Sequence, residues 1–116
     1  QNGEYWARRL YEEFLEYTIL PRDNSGFDLL FSQEGSENIR VEVKAITFNK
    51  RYIYITKNEW QKMVNYDDNY ELLIISHNQG IPQELIRVRK AWQTFVEILA
   101  NSKYQPPASA SYTRGN

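Results

Sequence analysis

The sequence of 116 residues has no cysteine and no long apolar run. Without cysteine the chain can form neither disulfides nor thiolate metal sites. No segment approaches the length of a transmembrane helix, and the first residues lack the apolar stretch of a signal peptide. We therefore expect a soluble protein of the cytoplasm.

An excess of positive charge is also missing. The 14 Lys and Arg residues face 15 Asp and Glu residues, so the formal net charge is −1. A freestanding DNA-binding domain is usually basic overall, because Lys and Arg neutralise the phosphates. A nucleic-acid role would therefore need positive charge concentrated on one face, or affinity supplied by a neighbouring domain or partner.

Apolar residues are sufficient for one small core, since 41% of the chain is hydrophobic and 15% is aromatic. Apolar spacing and a capping box at Thr56 and Glu59 predict helices over 4–17, 57–66 and 91–101. Apolar or alternating runs predict strands at 26–31, 39–46, 52–55, 70–76 and 85–89. We expect one α/β domain over residues 1–101, with a mixed central sheet of four or five strands flanked by helices. Residues 102–116 are rich in Pro, Ser and Ala and are predicted to form a linker or tail.

Three side chains on two neighbouring predicted strands carry the strongest chemical signal. Alternation over 39–46 places Glu42 and Lys44 on the same strand face. Asp28 lies in the short apolar run 26–31, where a carboxylate needs a cation or hydrogen-bond donors to compensate for its burial. Two carboxylates and a lysine can hold Mg²⁺ and an attacking water against a phosphate. The pattern favours a metal-dependent nuclease.

The same residues also have simpler interpretations. Glu42 and Lys44 can form a solvated strand face with a cross-strand ion pair, and Asp28 can be a turn residue. In a purely structural interaction module, Asp28 and Lys44 would form a buried ion pair. The site is favoured by the conjunction of Gly26-Phe27-Asp28, the Glu-x-Lys pattern and a connection of hairpin length over 32–38.

Gly26-Phe27-Asp28 followed by Glu42-Val43-Lys44 resembles the signature of the PD-(D/E)xK nuclease superfamily, with Phe27 where the literal motif has Pro. Residues 56–60 and 70–75 are similar to the branch named after the C-terminal domain of the plant protein NO VEIN. That branch recurs in bacterial restriction and helicase-associated proteins. The resemblance covers about residues 3–89 and implies a restriction-endonuclease-like fold.

The resemblance also implies roles for individual residues. Asp28 and Glu42 would ligate Mg²⁺ or Mn²⁺ with the backbone carbonyl of Val43 as a further ligand, and Lys44 would orient the water or stabilise charge on the phosphate. Some relatives add a glutamate from the first helix, and Glu4 matches that pattern. A helical wheel places Glu4 on the core side, although a first-turn acid can equally complement the helix dipole.

The implied activity is endonucleolytic hydrolysis of DNA by the cleavage module of a larger restriction or defence protein. Further domains or subunits, such as an ATPase, a helicase or a modified-base reader, would target it, and a homodimer is compatible with the resemblance. The alternative from a different class is a catalytically silent domain of the same fold that binds nucleic acid or docks a partner ATPase or helicase.

Two basic clusters are candidates for contact with nucleic acid, and each has aromatic residues nearby. They are Lys50 with Arg51, and Arg87 with Arg89 and Lys90. Such clusters suit phosphate contact or base stacking, although they are also common as solvated faces. The only histidine, His77, and the pair Asp67 and Asp68 are predicted to lie in surface turns.

Overall fold

The computed structural model describes residues 2–22, 29–50 and 52–102. One five-stranded sheet has the order β1-β2-β3-β4-β5. The strands are β1 (Thr18–Leu20), β2 (Leu29–Ser32), β3 (Ile39–Thr47), β4 (Tyr70–Asn78) and β5 (Ile81–Val88). The helices are α1 (Asn2–Arg8), which continues as a π-helix over Arg9–Phe14, α2 (Lys57–Tyr66) and α3 (Ala91–Ser102). The prediction of an α/β domain with a mixed sheet and flanking helices is confirmed.

The sheet is mixed because β3 and β4 are parallel, whereas the other three pairs are antiparallel. A parallel pair needs a crossover connection over one face of the sheet, and the chain that contains α2 provides it. All residues from Tyr70 to Ser76 are buried. This explains why the strand appears in the sequence as a nearly continuous apolar run.

The two faces of the sheet each carry a separate core. On the face covered by α1 and the π-helix, which we call the α1 face, the buried residues are Ala7, Tyr11, Leu29, Phe31, Ile39, Val41, Leu73 and Ile75. On the opposite face, which we call the α2 face, they are Ile53, Ile55, Met63, Tyr70, Leu72, Ile74, Ala91 and Phe95. The central strands β3 and β4 contribute alternate residues to one side or the other, as the period of two requires.

The first helix departs from the predicted α-helix over 4–17. From Arg9 onwards it is a π-helix, and the Leu15 N–H donates to the Leu10 carbonyl at 3.1 Å, a bond that spans five residues. The wider turn rotates the following side chains away from the positions given by a wheel of 3.6 residues per turn. Phe14, an apolar residue within the predicted helix, is 71% exposed.

The predicted strand at 52–55 is not part of the sheet. Its alternation is real, because Ile53 and Ile55 are buried in the core of the α2 face while Tyr52 and Tyr54 are exposed. However, β3 already has β2 and β4 as neighbours, so this segment crosses the α2 face as an extended connection without a strand partner. The short edge strand β1 was not predicted, since three residues carry too little periodic signal.

A tight hairpin joins β4 and β5. Gln79 and Gly80 have φ angles of 53° and 83°, which is the backbone conformation of a two-residue hairpin turn and is readily adopted by glycine. Because the turn is so short, both strands are longer than predicted. The prediction that His77 lies in a surface turn is therefore wrong: it is half-buried in β4, beside a bulge at Ser76/His77.

Asp67 and Asp68 lie in an exposed 3₁₀ turn between α2 and β4, as predicted. The Gln93 amide donates to both carboxylates. The closing helix ends at Ser102, and the predicted tail beyond it lies outside the described residues. No helix in the described ranges combines the length and apolar character that a membrane crossing would need.

Candidate functional site

Glu42 and Lys44 lie on the α2 face of β3. Their Cα partners on β4, Leu72 and Ile74, are both buried in the core of that face. Glu42 is only 8% exposed, and the Lys44 side chain is largely buried. The prediction that the two residues share one strand face is confirmed, and the alternative of a solvated face is wrong for Glu42.

Lys44 forms an ion pair with Glu59 of α2. The Lys44 Nζ donates to the Glu59 Oε1 at 2.7 Å. The same oxygen accepts the Thr56 N–H at 3.0 Å, and the Thr56 hydroxyl accepts the Glu59 N–H at 3.1 Å. This capping box confirms the predicted start of α2. Glu59 therefore caps the helix and also holds the lysine ammonium in place.

Replacing Thr56 with alanine should weaken both functions of this cap. Loss of an N-cap hydroxyl typically costs about 0.5–2 kcal/mol. We expect thermal unfolding of Thr56→Ala, followed by circular dichroism, at a lower temperature than for the wild type. Thr56→Ser keeps the hydroxyl and should restore most of the difference. Equal melting temperatures for the alanine variant and the wild type would show that the cap contributes nothing.

The carboxylate of Glu59 is held in its charged form. Burial raises the pKa of Glu59, but hydrogen bonds from Lys44 and from the Thr56 N–H outweigh burial, so that the pKa lies below its usual value. A side-chain hydrogen bond with Glu42 contributes in the same direction. Glu42 and Glu59 therefore both lie beside Lys44, Glu42 on the same strand face and Glu59 through the ion pair.

The donor chemistry of this pair fits a hard divalent cation. Mg²⁺ prefers oxygen ligands and is commonly bound through one or two carboxylates while it retains several waters. Glu42 and Glu59 supply such carboxylates, and the carbonyl of Val43 belongs to the same strand as Glu42. No group of three or more His, Asp or Glu side chains that could hold a metal occurs within the described ranges. Asp28 stays the other carboxylate ligand that the resemblance implies.

Asp28, the first predicted ligand, lies outside the described residues. The described part of β2 begins at Leu29, the residue bonded to Asp28. Leu29 pairs with Val41, which precedes Glu42 in β3. The proximity of Asp28 to Glu42 stays a prediction from the sequence.

Glu4 is placed differently from the prediction. It lies on α1, which packs on the α1 face, whereas Glu42 and Lys44 point to the α2 face. Its side chain is 46% exposed, and its Oε1 accepts a hydrogen bond from the Arg22 Nη2 at 2.7 Å. The prediction that Glu4 is directed towards the core is wrong, because the carboxylate is paired with Arg22 at the surface. Its membership of the site stays a prediction.

A second polar cluster lies on the α1 face around Glu71, a buried residue of β4. The Glu71 carboxylate accepts hydrogen bonds from the Tyr11 hydroxyl at 2.7 Å and from the Arg87 Nε and Nη2 at 2.8 and 3.0 Å. Burial and the Glu71 charge raise the pKa of Tyr11. Burial lowers the pKa of Arg87, but its bonds to Glu71 outweigh burial and raise the pKa above its ordinary value. These three residues form a charged, internally satisfied network.

This network changes the interpretation of the basic cluster after β5. Arg87 is largely buried, and its guanidinium forms an ion pair with Glu71 inside the domain. Arg89 is exposed and lies 3.7 Å from the Glu71 carboxylate. Lys90 is exposed and has a φ of 50° before α3 begins. The structure therefore places Arg87 and Arg89 around Glu71 on the α1 face, away from Glu42 and Lys44.

The other basic cluster is only partly described. Lys50 is exposed, and its Nζ lies 5.6 Å from the ring centroid of Tyr52. Arg51 lies outside the described residues. Lys50 follows β3, the strand that carries Glu42 and Lys44, so it lies on the same connection that leads from the site to α2.

Sequence reasoning missed two residues of these clusters. Glu59 was identified only as the acid of a capping box, although its carboxylate also binds Lys44. Glu71 was overlooked, and the available signal was an acid inside the apolar run 70–75. Neither partner could be assigned from the sequence, because both depend on which elements become neighbours in the fold.

The chain is thus a small α/β domain whose five-stranded mixed sheet carries a carboxylate and lysine cluster on the face opposite to α1. The family model described as Protein NO VEIN, C-terminal, matches residues 8–88. The chain therefore belongs to the NO VEIN C-terminal family, as the resemblance of residues 56–60 and 70–75 predicted. No curated protein and no solved structure matches the chain. The family match includes Glu42, Lys44 and Glu59, and begins after Glu4.

Proposed function

We propose that this domain is an endonuclease that uses Mg²⁺ or Mn²⁺ to hydrolyse phosphodiester bonds of DNA. The observation that carries the proposal is the burial of Glu42 on the strand face that also carries Lys44, whose ammonium is bound by Glu59 at 2.7 Å. With Asp28 the set would carry a charge of about −2 when all four groups are ionised, which matches a divalent cation.

Each residue has a distinct role in this proposal. Glu42 and Asp28 bind the cation, and the Val43 carbonyl is a further oxygen ligand. Lys44 donates from its ammonium to the attacking water or to the phosphate oxygen on which negative charge develops. Glu59 is a positioning residue, because its Oε1 holds the Lys44 Nζ at 2.7 Å. A bound divalent cation lowers the pKa of its water and neutralises charge on the phosphate.

The choice of DNA as substrate follows from the resemblance to PD-(D/E)xK nucleases and belongs to the same proposal. So does the place of the domain as the cleavage module of a larger restriction or defence protein with ATPase, helicase or modified-base-reading partners. The formal net charge of −1 supports a need for such partners, since the isolated domain has little excess positive charge with which to bind phosphates.

One observation favours the second candidate, a catalytically silent domain that binds nucleic acid or docks a partner ATPase. Lys44 already has a short hydrogen bond to Glu59, and this ion pair is complete without any cation. In the silent domain the pair would be purely structural.

Nicking of supercoiled plasmid by the purified chain tests the proposal. We expect cleavage with Mg²⁺ or Mn²⁺, none with EDTA, and weaker cleavage with Ca²⁺, whose coordination is longer and more flexible. Glu42→Gln keeps the shape of the side chain and removes its charge, so cleavage and calorimetric metal binding should fall together.

Glu84→Gln is the matched control, because Glu84 is an exposed acid of β5 outside the site. It should cut like the wild type. Equal nicking in EDTA and in Mg²⁺ would contradict the metal requirement. DNA binding without cleavage in any divalent metal would support the silent domain instead.

A further inference from the structure

An exposed aromatic surface follows β3, the strand that carries Glu42 and Lys44. It consists of Phe48, Tyr52 and Tyr54, which are 58%, 37% and 65% exposed, and we call it the aromatic ridge. Single exposed apolar residues are ordinary on a protein surface, whereas several in one short segment indicate an interaction site. All three belong to the connection between β3 and α2.

The ridge is held rigidly by the core beneath it. Ile53 and Ile55 alternate with the tyrosines and are buried in the core of the α2 face. This anchoring fixes the backbone and directs Tyr52 and Tyr54 outwards. Their rings meet edge to face, with centroids 5.4 Å apart. Rings that are positioned before a ligand arrives lose little conformational entropy on binding.

Two lysines flank the tyrosines of the aromatic ridge along the chain. The Lys50 Nζ lies 5.6 Å from the Tyr52 ring centroid, and Lys57 is exposed in the first turn of α2. Aromatic side chains flanked by basic ones suit a ligand that offers flat apolar surfaces and negative charges together. Nucleic acid with unpaired bases has this chemistry, because its bases stack on rings while its phosphates contact lysines.

The ridge is connected directly to the proposed catalytic cluster. Tyr54 precedes Thr56 by two residues, and two residues of chain span at most about 7 Å. The Thr56 N–H donates to the same Glu59 oxygen that binds the Lys44 Nζ. The backbone that carries Tyr54 therefore leads directly to the ion pair of Lys44 and Glu59.

We propose that the aromatic ridge binds unpaired bases, and that the preferred substrate of the site is single-stranded DNA. This inference rests on the proposed nuclease function. Bases inside a duplex are stacked on each other and must be extruded at an energetic cost, so exposed rings favour strands whose bases are already free. Stacking does not depend on base identity, and the ridge therefore implies little sequence preference.

Fluorescence anisotropy with labelled oligonucleotides tests this proposal in EDTA, where cleavage does not interfere. The probes are a single strand and the duplex of the same sequence, and the protein is the full 116-residue chain. We expect the wild type to bind the single strand more tightly than the duplex. Tyr54→Leu and Tyr52→Leu should each weaken single-strand binding by roughly 5-fold or more, the loss expected for one stacked base.

Two variants control for surface hydrophobicity and for folding. Tyr54→Phe keeps the ring and should bind the single strand like the wild type. Phe14→Leu removes a ring that is 71% exposed at the end of the π-helix, and it should also bind like the wild type. Circular dichroism melts of all variants establish that the folded state is compared.

The inference is overturned if the single strand and the duplex bind equally, if neither binds, or if the leucine variants of the ridge bind the single strand like the wild type. A ridge used to dock another protein would give this last result.

The proposed function fails separately if single-strand binding depends on the ridge but no divalent metal supports cleavage of any DNA. If the wild type cleaves DNA but shows no preference for the single strand, the proposed nuclease function stands and the proposed role of the aromatic ridge is refuted.

Discussion

Glu71→Ala should be the most destabilising of the substitutions considered for this domain. It would leave the buried Arg87 guanidinium and the Tyr11 hydroxyl without their acceptor, after both had been removed from water. Breaking a buried ion pair in this way typically costs about 3–5 kcal/mol. Small domains have only about 5–15 kcal/mol of stability, so the melting temperature should fall by roughly 15 °C or more.

The measurement is thermal or urea unfolding followed by circular dichroism. Glu84→Ala, in the neighbouring strand β5, removes an exposed acid and should change the free energy of unfolding by about 0.5 kcal/mol or less. The double variant Glu71→Leu with Arg87→Met replaces the pair by apolar side chains and should recover a large part of the loss. A loss below about 1 kcal/mol for Glu71→Ala would show that the pair is not needed for stability.

Lys44→Ala should have the largest effect on activity. If the ammonium acts on the attacking water or on the charge of the phosphate, its loss should lower the rate of DNA cleavage by about 10²–10³-fold, the range found when one preorganised donor is removed. Metal binding should remain, because Lys44 is not a ligand. The rise in melting temperature on adding Mg²⁺ should therefore persist in the variant.

Glu59→Gln tests the positioning role on the other side of the ion pair. The amide oxygen can still accept from the Lys44 Nζ and from the Thr56 N–H, but without the charge that strengthens both bonds. We expect a smaller loss of cleavage than for Lys44→Ala, with α2 still formed. A folded Lys44→Ala protein that cuts at the wild-type rate would remove the assigned role of the lysine.

Local patterns in the sequence predicted much of the domain. The alternation over 39–46 correctly placed Glu42 and Lys44 on one face of a strand, and Thr56 with Glu59 correctly marked the start of α2. Both features depend on residues within a few positions of each other, so the physics that produces them is present in the sequence itself. The same kind of alternation led to the wrong prediction of a strand at 52–55, because every second side chain can be buried without a strand partner.

The tertiary structure determines which polar side chains become hydrogen-bond or ion-pair partners. Lys44 and Glu59 are 15 residues apart, and they meet only because α2 crosses the face of β3 on the way to β4. Tyr11 and Glu71 are 60 residues apart, and they meet because the first helix packs on the opposite face. Short-range periodicity and backbone hydrogen bonds were sufficient to locate strand β3 and the cap of α2 from the sequence. Only the packing of helices on the two faces of the sheet determined which charges are buried together, because burial and pairing depend on neighbours that are distant along the chain.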